Sequence, residues 1–407
     1  MSGARSDMAL ACPLRAFGVE RYFAKYEFTA PHLLCCSDCE TRTVGEVMEL
    51  AGMDPKELMN LSLGYTESPG EPELRAAIAE HVYESKISPE NVLVFAGAEE
   101  GIYVAMRVVL APGDAMICAT PCYTSLSDIA TDMGVDVRPW VAKPEDDWAL
   151  DVDELVAALA VEPVPKMVVL MAPANPTGAL LTPDELQRVV AAVEDADALL
   201  LCDEVYRGLE REGTLTLPAA VTLSDSHTMS LGVMSKSYGL AGLRIGWLAT
   251  RSAALYDALL SYKDYTSICC SGPSQLLSVA ALRASSQLLA RNNALIATNM
   301  ELLTAFMTTY AHLFVWSRPT AAPICFPRLN VAPGELTADA FAAALVDAKG
   351  VLLLPGSTFN YDNRHFRLGY GRADFPAVLA QLEAFLLDND PNGGALMPPA
   401  AGGVAQE

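Results

Sequence analysis

Short apolar runs alternate with segments of helical spacing along the middle of the chain. Helical spacing precedes the first run and also lies between later ones, at Glu71–Val82, Tyr103–Leu110 and Pro183–Val193. Strands that are apolar on both faces and alternate with helices indicate a mostly parallel sheet covered on both sides. The pattern therefore predicts an α/β fold with a doubly wound sheet. The predicted strands are Val92–Ala96, Ala115–Ala119, Met167–Ala172, Ala198–Asp203, Thr228–Met234 and Ile245–Ala249.

The pattern changes after about residue 290. Helical spacing at Asn299–Thr309 and Asp339–Asp347 alternates with the strand-like segments Leu313–Trp316, Val351–Leu354 and Phe366–Gly369. This mixture predicts a smaller α+β domain, and we expect the N-terminal part of the chain to pack with it. The predicted organisation is a flexible N-terminus at 1–12, a small domain from 13–60 and 291–388, a large domain at 61–290, and a disordered tail at 389–407 that is rich in Gly, Pro and Ala.

The composition is that of a well-buried globular protein. Of the 407 residues, 52% are hydrophobic and 19% are charged, and the net charge is −23. So acidic a chain repels phosphate backbones and anionic lipids, which argues against nucleic-acid and membrane partners. The sequence shows no long apolar span and no secretory signal at its start, and its ten cysteines are scattered. These features predict a cytoplasmic protein with reduced thiols.

One lysine stands in a setting that suits a covalently held cofactor. Lys236 directly follows an apolar strand-like run, lies between Ser235 and Ser237, and is followed eight residues later by Arg244. An amine can form a Schiff base with an aldehyde. Hydroxyl groups and a guanidinium suit a phosphate dianion. Pyridoxal 5′-phosphate carries both an aldehyde and a phosphate, so the segment suits this cofactor. The alternative interpretation is that Lys236 is an ordinary surface lysine beside a loop arginine.

The segment 235–246 resembles the cofactor-lysine motif of the class I/II aminotransferases, which are fold-type I pyridoxal phosphate enzymes. The resemblance implies a large domain with a doubly wound, mostly parallel sheet that binds the cofactor, and a smaller α+β domain. It also implies that Lys236 carries the cofactor, with Ser235 and Arg244 at the cofactor phosphate.

Three polar residues come at or after the ends of predicted strands. The intervals from Asn175 to Asp203, from Asp203 to Tyr206 and from Tyr206 to Lys236 are 28, 3 and 30 residues. A buried carboxylate beside a pyridine nitrogen stabilises its positive charge, and we expect Asp203 to do this. The alternative for Asp203 is a helix N-cap. The resemblance implies that Asn175 donates to the ring hydroxyl, close to the substrate, and that Tyr206 reaches the same hydroxyl.

A glycine turn between a predicted strand and a predicted helix is a candidate phosphate site. Free amide groups at a helix N-terminus favour an anion there, and the resemblance assigns the cofactor phosphate to Gly97, Ala98 and Glu99. Two acidic residues follow the glycine where hydroxyl or amide side chains are more usual in that family. We expect the backbone amides to bind, with the Glu99 and Glu100 side chains turned away. Tyr123 corresponds to the aromatic residue stacked on the pyridine ring; its alternative is a packed loop tyrosine.

An arginine near the C-terminus is the candidate for the substrate carboxylate, because a guanidinium binds a carboxylate through two hydrogen bonds. The resemblance favours Arg367, with Arg364 and Arg372 as close rivals. Tyr65 resembles the tyrosine that reaches the cofactor phosphate of a neighbouring subunit, which implies a homodimer. Cys35, Cys36 and Cys39 have no second Cys/His pair at zinc-site spacing. By analogy with the family, we expect this cysteine segment near the mouth of the active site.

The motifs leave the reaction open. Within the family, the segments Glu20–Phe23, Thr120–Ser127 and Arg138–Trp140 resemble the capreomycidine synthase-like subgroup, which includes a cyclase. The first hypothesis is amino transfer between an amino acid and a 2-oxo acid. The second is a lyase or cyclase reaction on a modified amino acid with the same residues. A catalytically silent binding protein is the third, and the joint presence of Lys236, Asp203, Asn175, Tyr206 and Arg244 speaks against it.

Overall fold

The computed structural model describes residues 14–332 and 334–389. The flexible N-terminus predicted at 1–12 and the predicted tail from 390 onward lie outside the described residues. Asn389, predicted as the first tail residue, instead ends the last helix. The helices are α1 (Gly18–Tyr26), α2 (Val44–Ala51), α3 (Pro55–Met59), α4 (Pro72–His81), α5 (Ala98–Val109), α6 (Ser125–Asp132), α7 (Val152–Leu159), α8 (Pro183–Asp195), α9 (Ala253–Lys263), α10 (Gly272–Arg283), α11 (Ser285–Thr309), α12 (Ala338–Lys349) and α13 (Phe375–Asn389).

The strands form one large sheet and three small ones. They are β1 (His32–Leu33), β2 (Val92–Phe95), β3 (Ala115–Thr120), β4 (Asp136–Val141), β5 (Met167–Met171), β6 (Leu199–Asp203), β7 (Thr228–Val233), β8 (Gly246–Ala249), β9 (Phe314–Val315), β10 (Ile324–Cys325), β11 (Arg328–Leu329), β12 (Val351–Leu352), β13 (Leu354–Pro355) and β14 (Phe366–Gly369).

The large sheet has seven strands in the order β2-β8-β7-β6-β5-β3-β4. Every pair is parallel except the two pairs that β8 makes with β2 and β7. All residues of β2, β5, β7 and β8 are buried, as the apolar runs predict. The prediction of a mostly parallel α/β sheet is confirmed. The structure adds the edge strand β4, which the apolar pattern did not reveal because most of its residues are exposed or half-buried.

The N-terminal and C-terminal parts of the described chain meet in one small sheet. Strand β1 pairs in parallel with β12, joining residues 32–33 to residues 351–352. Strand β14 lies between β10 and β13, and β9 pairs with β11. Helix α11 runs without interruption across the domain boundary predicted at 290/291. Among the described residues, no helix is long and apolar enough to cross a membrane.

Candidate active site

The predicted site residues follow neighbouring strands of the large sheet. Gly97 follows β2, Tyr123 follows β3, Asn175 follows β5, Asp203 ends β6, and Lys236 comes shortly after β7. These strands run in one direction, so their carboxyl ends lie at the same edge of the sheet. Ligands bind at this edge in open α/β sheets. The topology therefore brings residues that are far apart in the chain to one place.

Lys236 is partly buried at this edge, and its amine donates a hydrogen bond to the hydroxyl of Ser37, with 2.9 Å between Nζ and Oγ. Burial lowers the pKa of Lys236, because it disfavours the charged ammonium; the carboxylate of Asp38 opposes this, and the guanidinium of Arg367 adds to it. A lysine whose pKa is lowered is more often a neutral amine, which is the nucleophilic form.

Asp203 is a buried carboxyl at the end of β6. Its Oδ1 accepts a hydrogen bond from the backbone N–H of Val205 at 3.1 Å. This contact resembles a cap, but a turn and not an α-helix follows the strand. Burial raises the pKa of Asp203 to about 7, while the Val205 amide and the charge of Lys236 oppose the rise. A buried carboxyl of this kind is stabilised as an anion when a cation comes next to it.

The hydroxyl of Tyr206 points into the same buried region. Tyr206 is 0% exposed, and its hydroxyl makes no well-formed hydrogen bond with any residue that the structure describes. Burial raises the pKa of this phenol, and the positive charge of Arg367 and a loose contact with the Ser37 hydroxyl counteract the rise. A buried hydroxyl without such a bond is costly, so a ligand atom is the natural partner for it.

Arg367 and Asn175 are in direct contact. Arg367, in β14, is 1% exposed, and its Nη1 donates to Oδ1 of Asn175 at 3.1 Å. Its Nε and Nη2 both donate to the backbone oxygen of Cys35, at 3.1 and 2.9 Å. The two rival arginines are bound differently. Arg372 donates to both carboxylate oxygens of Asp38 at 3.0 and 2.9 Å, whereas Arg364 lies against Asp362 and the backbone oxygen of Val331.

Arg244 closes over the glycine turn that begins α5. Gly97 has φ of 90°, and a Cβ atom added to it would lie 2.5 Å from Nη2 of Arg244. A Cβ atom on Gly246 would lie 2.6 Å from the backbone nitrogen of Ala98. Both positions therefore need glycine so that the arginine and the first turn of α5 can approach each other. The result is a positive group beside a helix N-terminus, which suits an anion.

The two serines beside Lys236 have different surroundings. Ser235 is buried directly before the lysine, and Ser237 donates to the backbone oxygen of Val205 at 3.0 Å. The hydroxyl of Ser237 thus helps to fix the turn after Asp203. Tyr123 donates to Oε1 of Glu20 at 3.3 Å, and its ring meets the ring of Phe17 edge-on, with 5.1 Å between the centroids.

Tyr65 is not brought to the site in this chain. Its side chain is 93% exposed. The segment 62–66, which contains Tyr65, lines a surface cavity together with 269–273. The sequence also missed Ser37, Asp38 and Glu20 as neighbours of the site. The sequence held one signal for Ser37 and Asp38, because both lie in the cysteine segment 35–39, which was expected near the mouth of the site. In the structure, the backbone oxygen of Cys35 accepts a hydrogen bond from Arg367. No group of three or more His, Cys, Asp or Glu in the described part of the chain is placed to hold a metal.

The fold is that of the pyridoxal phosphate enzymes of fold type I. The pattern of the family "Aminotransferase class I and II" matches residues 33–376, and the chain belongs to this family. Capreomycidine synthase of Streptomyces vinaceus is 30% identical over 373 residues, which cover 90% of this chain and 91% of that protein.

Two solved structures are similar over nearly their full length. A PLP-dependent aminotransferase from Streptococcus suis has a TM-score of 0.85 and 28% identity, covering 92% of this chain and 98% of that one. The PLP-dependent cyclase OrfR has a TM-score of 0.83 and 25% identity, covering 95% of this chain and 99% of that one. The family and these neighbours identify pyridoxal 5′-phosphate as the cofactor.

The residues present fit this cofactor. The buried hydroxyl of Tyr206 lacks a well-formed bond, as expected where the polar edge of a ligand belongs. The carboxyl of Asp203 is buried with a raised pKa, so a cationic ring nitrogen beside it would stabilise its ionised form. The approach of Arg244 to Gly97 forms an anion cradle at the start of α5.

Proposed function

We propose that this protein is a pyridoxal phosphate-dependent aminotransferase that moves an amino group between an amino acid and a 2-oxo acid. The observation that carries the cofactor chemistry of this proposal is the placement of Lys236, and the similarity to the structure of a PLP-dependent aminotransferase favours amino transfer. Its amine is held against Ser37 at 2.9 Å, and its pKa is lowered by burial. Such an amine can bind an aldehyde covalently and can later carry a proton.

When bound, pyridoxal phosphate supplies an electron-withdrawing ring that makes the α-proton of an amino acid removable. The proposed role of Lys236 is to hold the cofactor through Nζ and then to move that proton as general base and general acid. Asp203 would hold the proton of the ring nitrogen in place. Asn175 and Tyr206 would orient the ring hydroxyl, and Tyr123 would cover the ring face.

The phosphate and the substrate carboxylate would be bound by two different arginines. Arg244, Ser235 and the amides of 97–99 would hold the phosphate, because Arg244 lies over the glycine turn. Arg367 would hold the α-carboxylate, because it lies beside Asn175 in the buried part of the site. Arg372 is a weaker candidate, since both oxygens of Asp38 already pair with it.

The proposed site draws on both predicted domains. Asn175 and Lys236 belong to the predicted large domain, whereas Ser37 and Arg367 belong to the predicted small one. We propose on this basis that 13–60 and 291–388 act together as one side of the substrate cleft. The exposure of Tyr65 supports a homodimer in which this side chain enters the partner's site.

A lyase or cyclase is the second candidate. The similarity to capreomycidine synthase and to the structure of a PLP-dependent cyclase favours it. Amino transfer and cyclisation both begin with loss of the α-proton, so Lys236 would serve either reaction. What happens after that step decides the product.

A panel of amino acids that includes arginine and hydroxylated arginine distinguishes the two candidates. Amino transfer converts the cofactor to pyridoxamine phosphate and releases a 2-oxo acid from a single substrate. Elimination or cyclisation leaves the cofactor in its aldehyde form and gives a product that keeps the substrate's α-nitrogen or releases ammonia. Lys236→Ala is the matched control, and it should abolish both outcomes. Formation of a cyclic product without pyridoxamine phosphate would exclude the aminotransferase proposal for that substrate.

A further inference from the structure

Glu99 and Glu100 lie side by side in the first turn of α5 but have different surroundings. The carboxylate of Glu100 accepts from the backbone N–H groups of Ala96 at 2.6 Å and Ser267 at 3.2 Å. The carboxyl of Glu99 instead accepts from the hydroxyl of Ser125, with 3.2 Å between Oγ and Oε2. In the chain, Glu99 lies two residues after Gly97, the glycine against which Arg244 packs.

The charged groups around Glu99 are mostly negative. Glu20 from α1 and Asp203 from β6 are acidic, and the Tyr123 phenol lies close by. Arg244 is a cation whose charge acts on Glu99, and Arg15, Asp128 and Asp132 line the same cavity as Glu99. Burial raises the pKa of Glu99 to about 7, and Glu20 adds to the rise, whereas Ser125 and Arg244 oppose it. Glu99 is therefore balanced between its two protonation states near neutral pH.

We propose that Glu99 takes up one proton when a phosphate dianion binds to Arg244 and the N-terminus of α5. This inference rests on the proposed phosphate site. A dianion there repels a second buried negative charge, and it also occupies Arg244, the cation that favours ionised Glu99. Both effects favour the neutral carboxylic acid. The proton comes from solvent, and no bond other than the new O–H is formed.

The coupling has a definite sign. Below about pH 7, Glu99 is already mostly protonated, so phosphate binding needs no further proton. Above that pH, binding must draw a proton onto Glu99, and affinity should fall by up to about tenfold per pH unit. Glu99→Gln keeps the shape but cannot ionise. We therefore expect this variant to bind the phosphate ligand about tenfold more tightly than the wild type at pH 8, and equally at pH 6.

Calorimetric titration of the full-length apoprotein with pyridoxamine 5′-phosphate tests the proposal. The titration is made between pH 6 and 9 in two buffers with different ionisation enthalpies, which gives the number of protons taken up. Protonation of the ligand itself contributes equally to the titrations of wild type and Glu99→Gln, so the difference in proton uptake between the two proteins reports on Glu99. The wild type should take up nearly one proton more at pH 8. Equal proton uptake in the two proteins would overturn the proposal.

Three further variants sharpen the test. Glu100→Gln is the matched control and should take up as many protons as the wild type at pH 8, because the Glu100 carboxylate is held by the amides of Ala96 and Ser267. Ser125→Ala removes a hydrogen bond that favours the ionised form, so the loss of affinity should begin at a higher pH. An unchanged onset would count against the role of Glu99. Arg244→Lys separates the two proposals. If it does not weaken ligand binding, the phosphate assignment fails. If it does weaken binding, but wild type and Glu99→Gln take up equal numbers of protons, only the Glu99 coupling is refuted.

Discussion

Arg367 donates a hydrogen bond from Nη1 to Oδ1 of Asn175 over 3.1 Å, although the two residues are 192 positions apart. Asn175 follows a strand of the large sheet, and Arg367 lies in β14 of a small sheet. The contact therefore fixes the proposed carboxylate site relative to the proposed ring site. The oxygen of the Asn175 side chain accepts this bond, and its amide nitrogen can donate a hydrogen bond to a different group at the same time.

Arg367→Lys should weaken amino-acid binding and leave cofactor binding nearly unchanged. Lysine keeps the charge but lacks the planar fork that holds a carboxylate through two bonds. Charged hydrogen bonds contribute about 1.5–3 kcal/mol, so KM should rise roughly ten- to hundredfold. Steady-state kinetics and a cofactor titration measure the two effects. Arg364→Lys is the control, because Arg364 lies against Asp362 and does not contact Asn175. Lost cofactor with normal KM in Arg367→Lys would show that the two arginine roles are exchanged.

Lys236→Ala should abolish the covalent link to the cofactor. Wild-type protein should show the absorbance band of the Schiff base between Lys236 and the cofactor, borohydride should remove the band by reducing that C=N bond, and peptide mapping should then find the adduct on Lys236. Lys263 is a useful comparison because it is also buried, but its amine donates to the backbone oxygens of Ser68 and Ile268 at 2.6 and 2.8 Å. A reduced adduct on Lys263, or on any lysine other than Lys236, would refute the assignment.

The sheet could be predicted from sequence because six of its strands are continuous apolar runs. Strand β4 could not, because an edge strand buries little and Pro139 lies within it. The residues at the carboxyl ends of the strands were predictable for a similar reason, since Asp203 and Lys236 follow strands that the pattern reveals. Their partners from other elements were not. Ser37 lies 199 positions from Lys236, and no local pattern connects the two.

Asp203→Asn should slow turnover by roughly a hundredfold or more, since a charged partner of the ring nitrogen contributes a few kcal/mol. The substitution keeps the shape and removes the negative charge that stabilises a protonated ring. Single-turnover absorbance measurements with the cofactor-loaded variant give the rate of the chemical step. Normal rates would mean that the carboxylate only fixes the turn at Val205 through its 3.1 Å bond.

The apoprotein should lose stability as pH rises from about 4 to about 7. The pKa of Asp203 is raised from 3.8 to about 7, so the folded chain holds this proton in a range where the unfolded chain releases it. The folded state therefore binds more protons than the unfolded state, and the free energy of unfolding falls with pH in this window and levels off above it. Asp203→Asn should flatten this part of the profile by roughly 1–4 kcal/mol. Urea unfolding of both apoproteins at pH 5 and pH 8 measures the difference, and parallel profiles would contradict it.

Tyr65 should serve the site of the partner subunit. It is 93% exposed here, so it can reach a cofactor phosphate only if another chain brings its own site to it. Mixed dimers of two differently tagged chains test this. When Lys236→Ala is on one chain and Tyr65→Ala on the other, one site keeps both its lysine and a partner tyrosine. When both substitutions are on the same chain, each site lacks one of the two groups.

The first mixed dimer should therefore retain close to half of the wild-type cofactor binding and activity, and the second should retain much less. Both dimers contain the same two substitutions, so a difference between them cannot come from lost folding stability. If Tyr65 served its own chain, the order would reverse, because the chain without substitutions in the second dimer would then be complete. Equal values for the two dimers would mean that Tyr65 contributes to neither site.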